Sequence, residues 1–405
     1  MMKHEPLLHQ KLKKISDILQ DKYKEVEDVG VLAGISGIAL FQFYYSKYLD
    51  VDEHADFGTE MISHCIDKIN SGYSFPTYCT GIAGLGWTIQ HLNAKNFVDI
   101  DCDGLLSPFD EYLYNQMKFD LTQGNYDFLH GAIGYGFHFL SRFTNTVDPH
   151  LKSKYQFYLL ELIHTLDTLA ISEGNTLKWE STLNIEKGIS GYNLSLSHGM
   201  SSILNFLSRL QKFGVFKEST QQLVRGTANY ILSFENKRTD QLSLFPSWVE
   251  NGIQLQYKSR IAWCYGDLGI GISLMQAGKS LGDSAIQQRA QKILDHTANR
   301  KTQEETMVND AGICHGSYGN ALVYNRISQE ANMETFKEIL DFWIDDGIQK
   351  AIYEDGYAGY KQWNGLEKNF VPELSLLEGI AGIGLVIIDY LSETPNTWDE
   401  CLMIS

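Results

Sequence analysis

Proline is scarce in this chain, with seven in 405 residues, about a third of ordinary usage. A proline inside a helix removes an N–H and crowds the preceding turn, so its scarcity leaves long stretches free to be helical. The six cysteines (Cys65, Cys79, Cys102, Cys264, Cys314 and Cys401) are too few and too scattered for a secreted disulfide scaffold. They are expected to be reduced thiols, which points to the cytoplasm. Positive charge is also short: 33 Lys and Arg face 50 Asp and Glu, a net charge of −17, which opposes attraction to phosphate backbones or anionic lipid and predicts no nucleic-acid partner. The longest clean apolar stretch, Gly379 to Ile388, stops at Asp389, about half of the ~20 residues a bilayer requires. No transmembrane segment is expected. The first residues, MMKHEPLLHQKLKK, carry no uninterrupted apolar run and do not read as a secretory signal.

What the chain does have is glycine in an ordered pattern. A G-x-x-G step recurs at Gly34/Gly37, Gly81/Gly84, Gly131/Gly134, Gly266/Gly269, Gly316/Gly319 and Gly379/Gly382, with an imperfect copy at Gly199 where Ser202 stands second. Successive first glycines are 47, 50, 68, 67, 50 and 63 residues apart, room for two helices and their loops per repeat. Each copy opens a run apolar on nearly all sides, such as GISGIALFQFYY or GIAGIGLVIIDYL, as in a helix buried in a core. Amphipathic segments precede these runs near residues 6–23, 54–70, 108–120, 148–171, 217–235, 283–299 and 333–350, with apolar residues at helical spacing. Seven hairpins of outer and inner helices whose inner members run the same way can close into a ring. The predicted fold is all-α: an α/α toroid, a double-layered barrel of seven inner and seven outer helices. No linker divides residues 1–405, so a single domain is expected. The glycines are read as packing residues that let helix starts approach closely. Segments 172–193 and 238–260 are less helical and predict short strands.

The residues before each first glycine form one structurally equivalent set: Ala33, Thr80, His130, His198, Tyr265, His315 and Glu378. Three are histidine, out of twelve in the whole chain, more than composition alone explains. Two positions before the glycine, repeats five and six carry Cys264 and Cys314. The repeat register therefore predicts that Cys264, Cys314 and His315 gather at the mouth of the ring. Two thiolates and an imidazole with a fourth position open suit a catalytic zinc site. The bland alternative is a pair of buried thiols beside a core histidine.

The blocks LSLSHGMSS (194–202), AWCYGDLGIG (262–271), ICHGSYGN (313–320) and LLEGIAGIG (376–384) resemble the lanthionine synthetase C family, the lantibiotic cyclases, and the seven glycine copies extend the likeness over essentially the whole chain. The resemblance implies a Zn2+ ion held by Cys264, Cys314 and His315. It also implies addition of cysteine thiols to dehydroalanine or dehydrobutyrine in a dehydrated precursor peptide. A thiol with an ordinary pKa near 8.5 is mostly protonated at neutral pH, and zinc holds it as thiolate. Addition of sulfur produces an enolate that needs a proton and stabilisation of its oxygen.

By the family's pattern His198 is the acid/base, with a structural helix-start histidine as the alternative. Asp127 matches an acidic position that orients an imidazole or handles a proton, and it reads equally as an N-cap. Arg260 matches an arginine facing the enolate oxygen, against a solvated surface charge. Tyr265 either donates a hydrogen bond at the pore or packs there. His130, where some members have Glu, is read first as structural. The absence of a further large domain predicts a stand-alone cyclase served by a separate dehydratase. Two other functions compete: addition of glutathione to dehydroamino acids, as attributed to LanC-like proteins, and a non-catalytic zinc-stabilised toroid that binds peptide.

Overall fold

The computed structural model describes residues 4–184, 187–237, 242–250, 253, 255–331 and 334–404. Parts of the two predicted insertions (185–186, 238–241, 251–252 and 254) and residue 333 of the last predicted outer helix lie outside these. The described chain forms two compact units, one of residues 1–102 with 308–405 and one of residues 103–307.

In the first unit, one-sided helices Glu5–Lys22, Glu53–Asn70 and Glu334–Gln349 alternate with the helices Ile35–Leu49, Ile82–Ala94, Ser317–Ala331 and Ile380–Leu391. The Ile35–Leu49 helix is buried without a break from Ile35 to Ser46, and Ile82 to Leu92 and Ile380 to Asp389 are buried in the same way. Glu5–Lys22, by contrast, buries the single stripe Leu8, Leu12, Ile15, Ser16 and Leu19. This difference is the one the apolar runs and amphipathic segments predict. Each fully buried large aliphatic side chain contributes about 1.5–3 kcal/mol.

The repeats are joined through the loops that carry their glycines. Leu32 and Ala33 donate backbone N–H groups to the Cys79 carbonyl, and Ile313 and Cys314 donate to that of Leu377. The Leu377 N–H in turn reaches the Leu32 carbonyl at 2.8 Å, so the last repeat docks on the first. Buried Arg326 holds Asp399 at 2.7 Å and also pairs with Asp389, which fixes the short 3-10 turn Trp398–Leu402. A hairpin of β6 (Gln362–Asn364) and β7 (Asn369–Val371) was not foreseen from the sequence.

In the second unit the one-sided helices Asp110–Thr122, Pro149–Leu169, Gly214–Ser233 and Ser284–Ala298 alternate with Ala132–Asn145, Met200–Leu210 and Asp267–Leu281. The Asp148 carboxylate caps Pro149–Leu169 through the N–H groups of His150 and Leu151, and Asp283 caps Ser284–Ala298 through Ala285 and Ile286. The expected strands are present: β1 (Ile171–Glu173) pairs with β2 (Thr176–Lys178), and β3 (Ser181–Asn184), β4 (Ile189–Asn193) and β5 (Trp248–Val249) form a small antiparallel sheet. Here too the loops join, with the N–H groups of Leu196 and Ser197 on the Cys264 carbonyl.

The structure refines the reason for the glycines. A Cβ on the second glycine of a step would lie 2.0 Å from the Val31 carbonyl oxygen at Gly37, 2.0 Å from that of Tyr78 at Gly84 and 1.8 Å from that of Ile313 at Gly319. In each case the obstacle is the carbonyl six residues earlier in the same chain. In these repeats the loop before the buried helix folds back over that helix's first turn and glycine leaves room for it, whereas the Gly199 repeat has Ser202 at the equivalent place. Crowding between neighbouring helices adds to this, as where Gly384 meets Phe41.

Candidate functional site

In the second unit, the loop entering helix Ala132–Asn145 places Asp127. One carboxylate oxygen, Oδ1, accepts the N–H of Leu129 at 2.6 Å and of His130 at 2.9 Å, closing the turn. The other, Oδ2, lies 2.6 Å from His198 Nδ1. Asp127 thus closes the turn before the helix, whose N-cap position is held by Gly131 and not by Asp127, and pairs with an imidazole. With Nδ1 committed as donor to the carboxylate, Nε2 is the His198 nitrogen left to take or give a proton.

The pair shifts each group's titration. Burial disfavours a charged His198, but the hydrogen bond and negative charge of Asp127 outweigh it, and the imidazole pKa is raised above 6.5. Burial likewise disfavours ionised Asp127, but the hydrogen bond and charge of His198 hold its pKa below the usual carboxylate value. The exposed His130 ring lies parallel to that of His198, with centroids 6.4 Å apart.

The Tyr265 ring lies 6.0 Å from that of His198. Asn193 Nδ2 donates to the Tyr265 hydroxyl at 3.2 Å, and burial raises the pKa of the phenol, so it keeps its proton at neutral pH. Cys264, one residue earlier, is buried, and its carbonyl is fixed by Leu196 and Ser197 in the His198 loop. Arg260 is half-buried in the loop four residues before Cys264.

In the first unit, Cys314 and His315 sit where the loop turns into helix Ser317–Ala331. Nε2 of His315 lies 3.1 Å from Oδ2 of buried Asp310. The same Oδ2 accepts the Trp363 N–H of β6 at 2.8 Å, while Oδ1 accepts the Gly312 N–H at 3.0 Å. Burial would raise the Asp310 pKa, but His315 and the two N–H groups bring it below the usual carboxylate value. A carboxylate on one imidazole nitrogen fixes the ring and leaves the other nitrogen to a metal.

The first unit supplies a thiol and an imidazole, from Cys314 and His315, and the second unit a thiol, from Cys264. Two thiolates and an imidazole are zinc donors, so the residues fit the ion. Sequence reasoning missed Asp310 and Asn193. Asp310 occupies the position, six before the first glycine, that Asp28 occupies in the first repeat, and that register was the available signal. Among the described residues no helix is long and apolar enough to cross a membrane.

Comparison with known proteins bears on both fold and family. The solved structure of nisin cyclase matches with a TM-score of 0.78 at 18% identity, over 99% of this chain and 98% of that one, which shows the fold to be the predicted α/α toroid. The nisin biosynthesis protein NisC of Lactococcus lactis subsp. lactis is 22% identical over 225 residues, 52% of this chain and 48% of its own. The match thus spans about half the length of that relative. A family description, lanthionine synthetase C-like protein, fits residues 25–403. With that match over nearly its whole length, the chain belongs to the lanthionine synthetase C-like family.

Proposed function

We propose that this chain is a single-domain, zinc-dependent lanthionine cyclase that adds peptide cysteine thiols to dehydroalanine or dehydrobutyrine in a dehydrated precursor peptide. What carries the reading is the Asp310–His315 contact at 3.1 Å in a chain of this family, because it prepares one histidine nitrogen for a metal. Cys264, Cys314 and His315 would hold the ion. Bound there, zinc would keep a substrate cysteine in its thiolate form at neutral pH.

The chain's own groups account for the remaining needs of a conjugate addition. His198, charged over a wider pH range because of Asp127, gives the proton that the α-carbon of the enolate requires. Tyr265, a neutral phenol, and Arg260 supply a hydrogen bond and a positive charge toward the enolate oxygen. Asp127 acts through His198 by fixing its tautomer. The dehydroamino acids must come from a preceding dehydration reaction, and the reading therefore includes a separate dehydratase and a cytoplasmic setting.

The test combines metal analysis with a thiol count. About one zinc per chain is expected in the wild-type protein, lost in Cys264→Ala and Cys314→Ala and retained in His130→Ala. A dehydrated peptide incubated with the protein should lose its alkylatable thiols at constant mass. Zinc-free wild-type protein, or zinc loss in His130→Ala equal to that in His315→Ala, would overturn the ligand assignment. Persistence of the thiols would overturn the reaction.

A further inference from the structure

A cavity of about 490 Å³ opens in the second unit beside His198 and Tyr265, within the size range of small-ligand sites. Tyr126, Trp179, Leu183 and Ile203 contribute to its lining, as does Thr182 of β3. Trp179 is buried and its indole N–H is already used on the Leu166 carbonyl at 2.8 Å, so the ring contributes apolar surface. Burial keeps the phenols of Tyr126 and Tyr265 protonated.

Among the described residues the wall contains no Lys, Arg or Glu, and its acidic group is Asp127. That carboxylate already accepts hydrogen bonds from Leu129, His130 and His198. A charged side chain entering the cavity would lose water and find the wall's imidazole and carboxylate, His198 and Asp127, already paired with each other at 2.6 Å, which is unfavourable. An uncharged side chain of moderate size would displace water from the surfaces of Trp179, Leu183, Met200 and Ile203, meet the uncharged polar groups of Gln123, Asn125, Ser181 and Asn193, and be held next to the acid/base imidazole.

We infer that this cavity is a specificity subsite that receives the uncharged side chain of the residue adjoining the dehydroamino acid. The inference rests on the cyclase reading and gives it a substrate preference. Because the cavity borders on His198, filling it also positions the reacting carbon beside the imidazole.

The test uses the zinc-loaded protein and dehydrated peptides with one dehydroalanine and one cysteine. The residues flanking the dehydroalanine are varied among Gly, Leu, Lys and Glu. The expected order of kcat/KM is Leu above Gly by about tenfold or more, with Lys and Glu below Gly. In Thr182→Trp, whose indole would occupy the cavity, the Leu-to-Gly ratio should fall about tenfold. In Leu183→Ala, which removes a packing partner from its wall, the Leu-to-Gly ratio should also fall. Circular dichroism establishes that each variant is folded. Equal kcat/KM for all four peptides, or an unchanged Leu-to-Gly ratio in both folded variants, would overturn the subsite while leaving the cyclase reading intact. No cyclisation of any peptide by wild-type protein would instead overturn the cyclase reading, and the subsite with it.

Discussion

Asp310→Asn is the substitution that most directly probes the arrangement around His315. It keeps the size of the side chain and removes its charge. In the wild type, Oδ2 meets both the Trp363 N–H and His315 Nε2, while Oδ1 takes the Gly312 N–H. An amide has one acceptor atom, so whichever way it is turned, an NH2 group faces at least one buried N–H donor. Leaving such a donor unsatisfied costs about 1–3 kcal/mol, and the imidazole loses the carboxylate that fixes its ring. Outer-shell substitutions of this kind weaken metal binding about 10–100-fold, or about 1.4–2.7 kcal/mol. Competition against a chromophoric zinc chelator reads this directly, and a thermal melt of the zinc-free protein separates the stability cost. Zinc affinity within about twofold of wild type would refute the assignment of Asp310 as the residue that orients the histidine proposed as a zinc ligand.

Two further predictions follow from the geometry. Asp127→Asn should lower the His198 pKa, since the group that raises it is the ionised carboxylate, move the alkaline limb of the pH–rate profile to lower pH and reduce kcat by about a hundredfold or more. The stability carried by the raised His198 pKa is present in full below the ordinary 6.5 and lost as pH rises through the folded value. That carried by the lowered Asp127 pKa is present above the ordinary 3.8 and lost as pH falls through the folded value. The variant should therefore be most destabilised, relative to wild type, between those limits, and an unchanged pH–rate profile would refute the role of the pair. Gly84→Ala would place a Cβ 2.0 Å from the Tyr78 carbonyl oxygen and 2.6 Å from the Val31 nitrogen, and should cost about 1–3 kcal/mol in urea denaturation. Gly214→Ala, where nothing lies within 4 Å, should be neutral or slightly stabilising, and equal effects at the two glycines would contradict the fold-back of the loop.

Much of the architecture was legible because it is local and repeated. Alternation between runs apolar all round and runs apolar on one stripe marks Ile35–Leu49 against Glu5–Lys22 without any tertiary information, and the predicted outer spans lie within a few residues of the helices found. The β6–β7 hairpin escaped notice because strands of three residues carry too little alternation to read. Histidines and cysteines at equivalent places stood out by register alone. Asp310 and Asn193 did not, since nothing in their neighbourhood says where a carboxylate or amide will point.

The sequence by itself therefore determined the helical periodicity, the glycine-bearing loops and the set of candidate donors, all of which depend on spacing along the chain. The tertiary structure alone decided the pairings: Asp127 with His198 across 71 residues, Asn193 with Tyr265 across 72, and Asp310 with both His315 and the β6 backbone. Hydrogen bonds need donor and acceptor within a few tenths of an ångström of ideal separation and correctly aligned. That precision is set by how loops from different repeats lock together through their backbones, and no periodicity in the sequence records it.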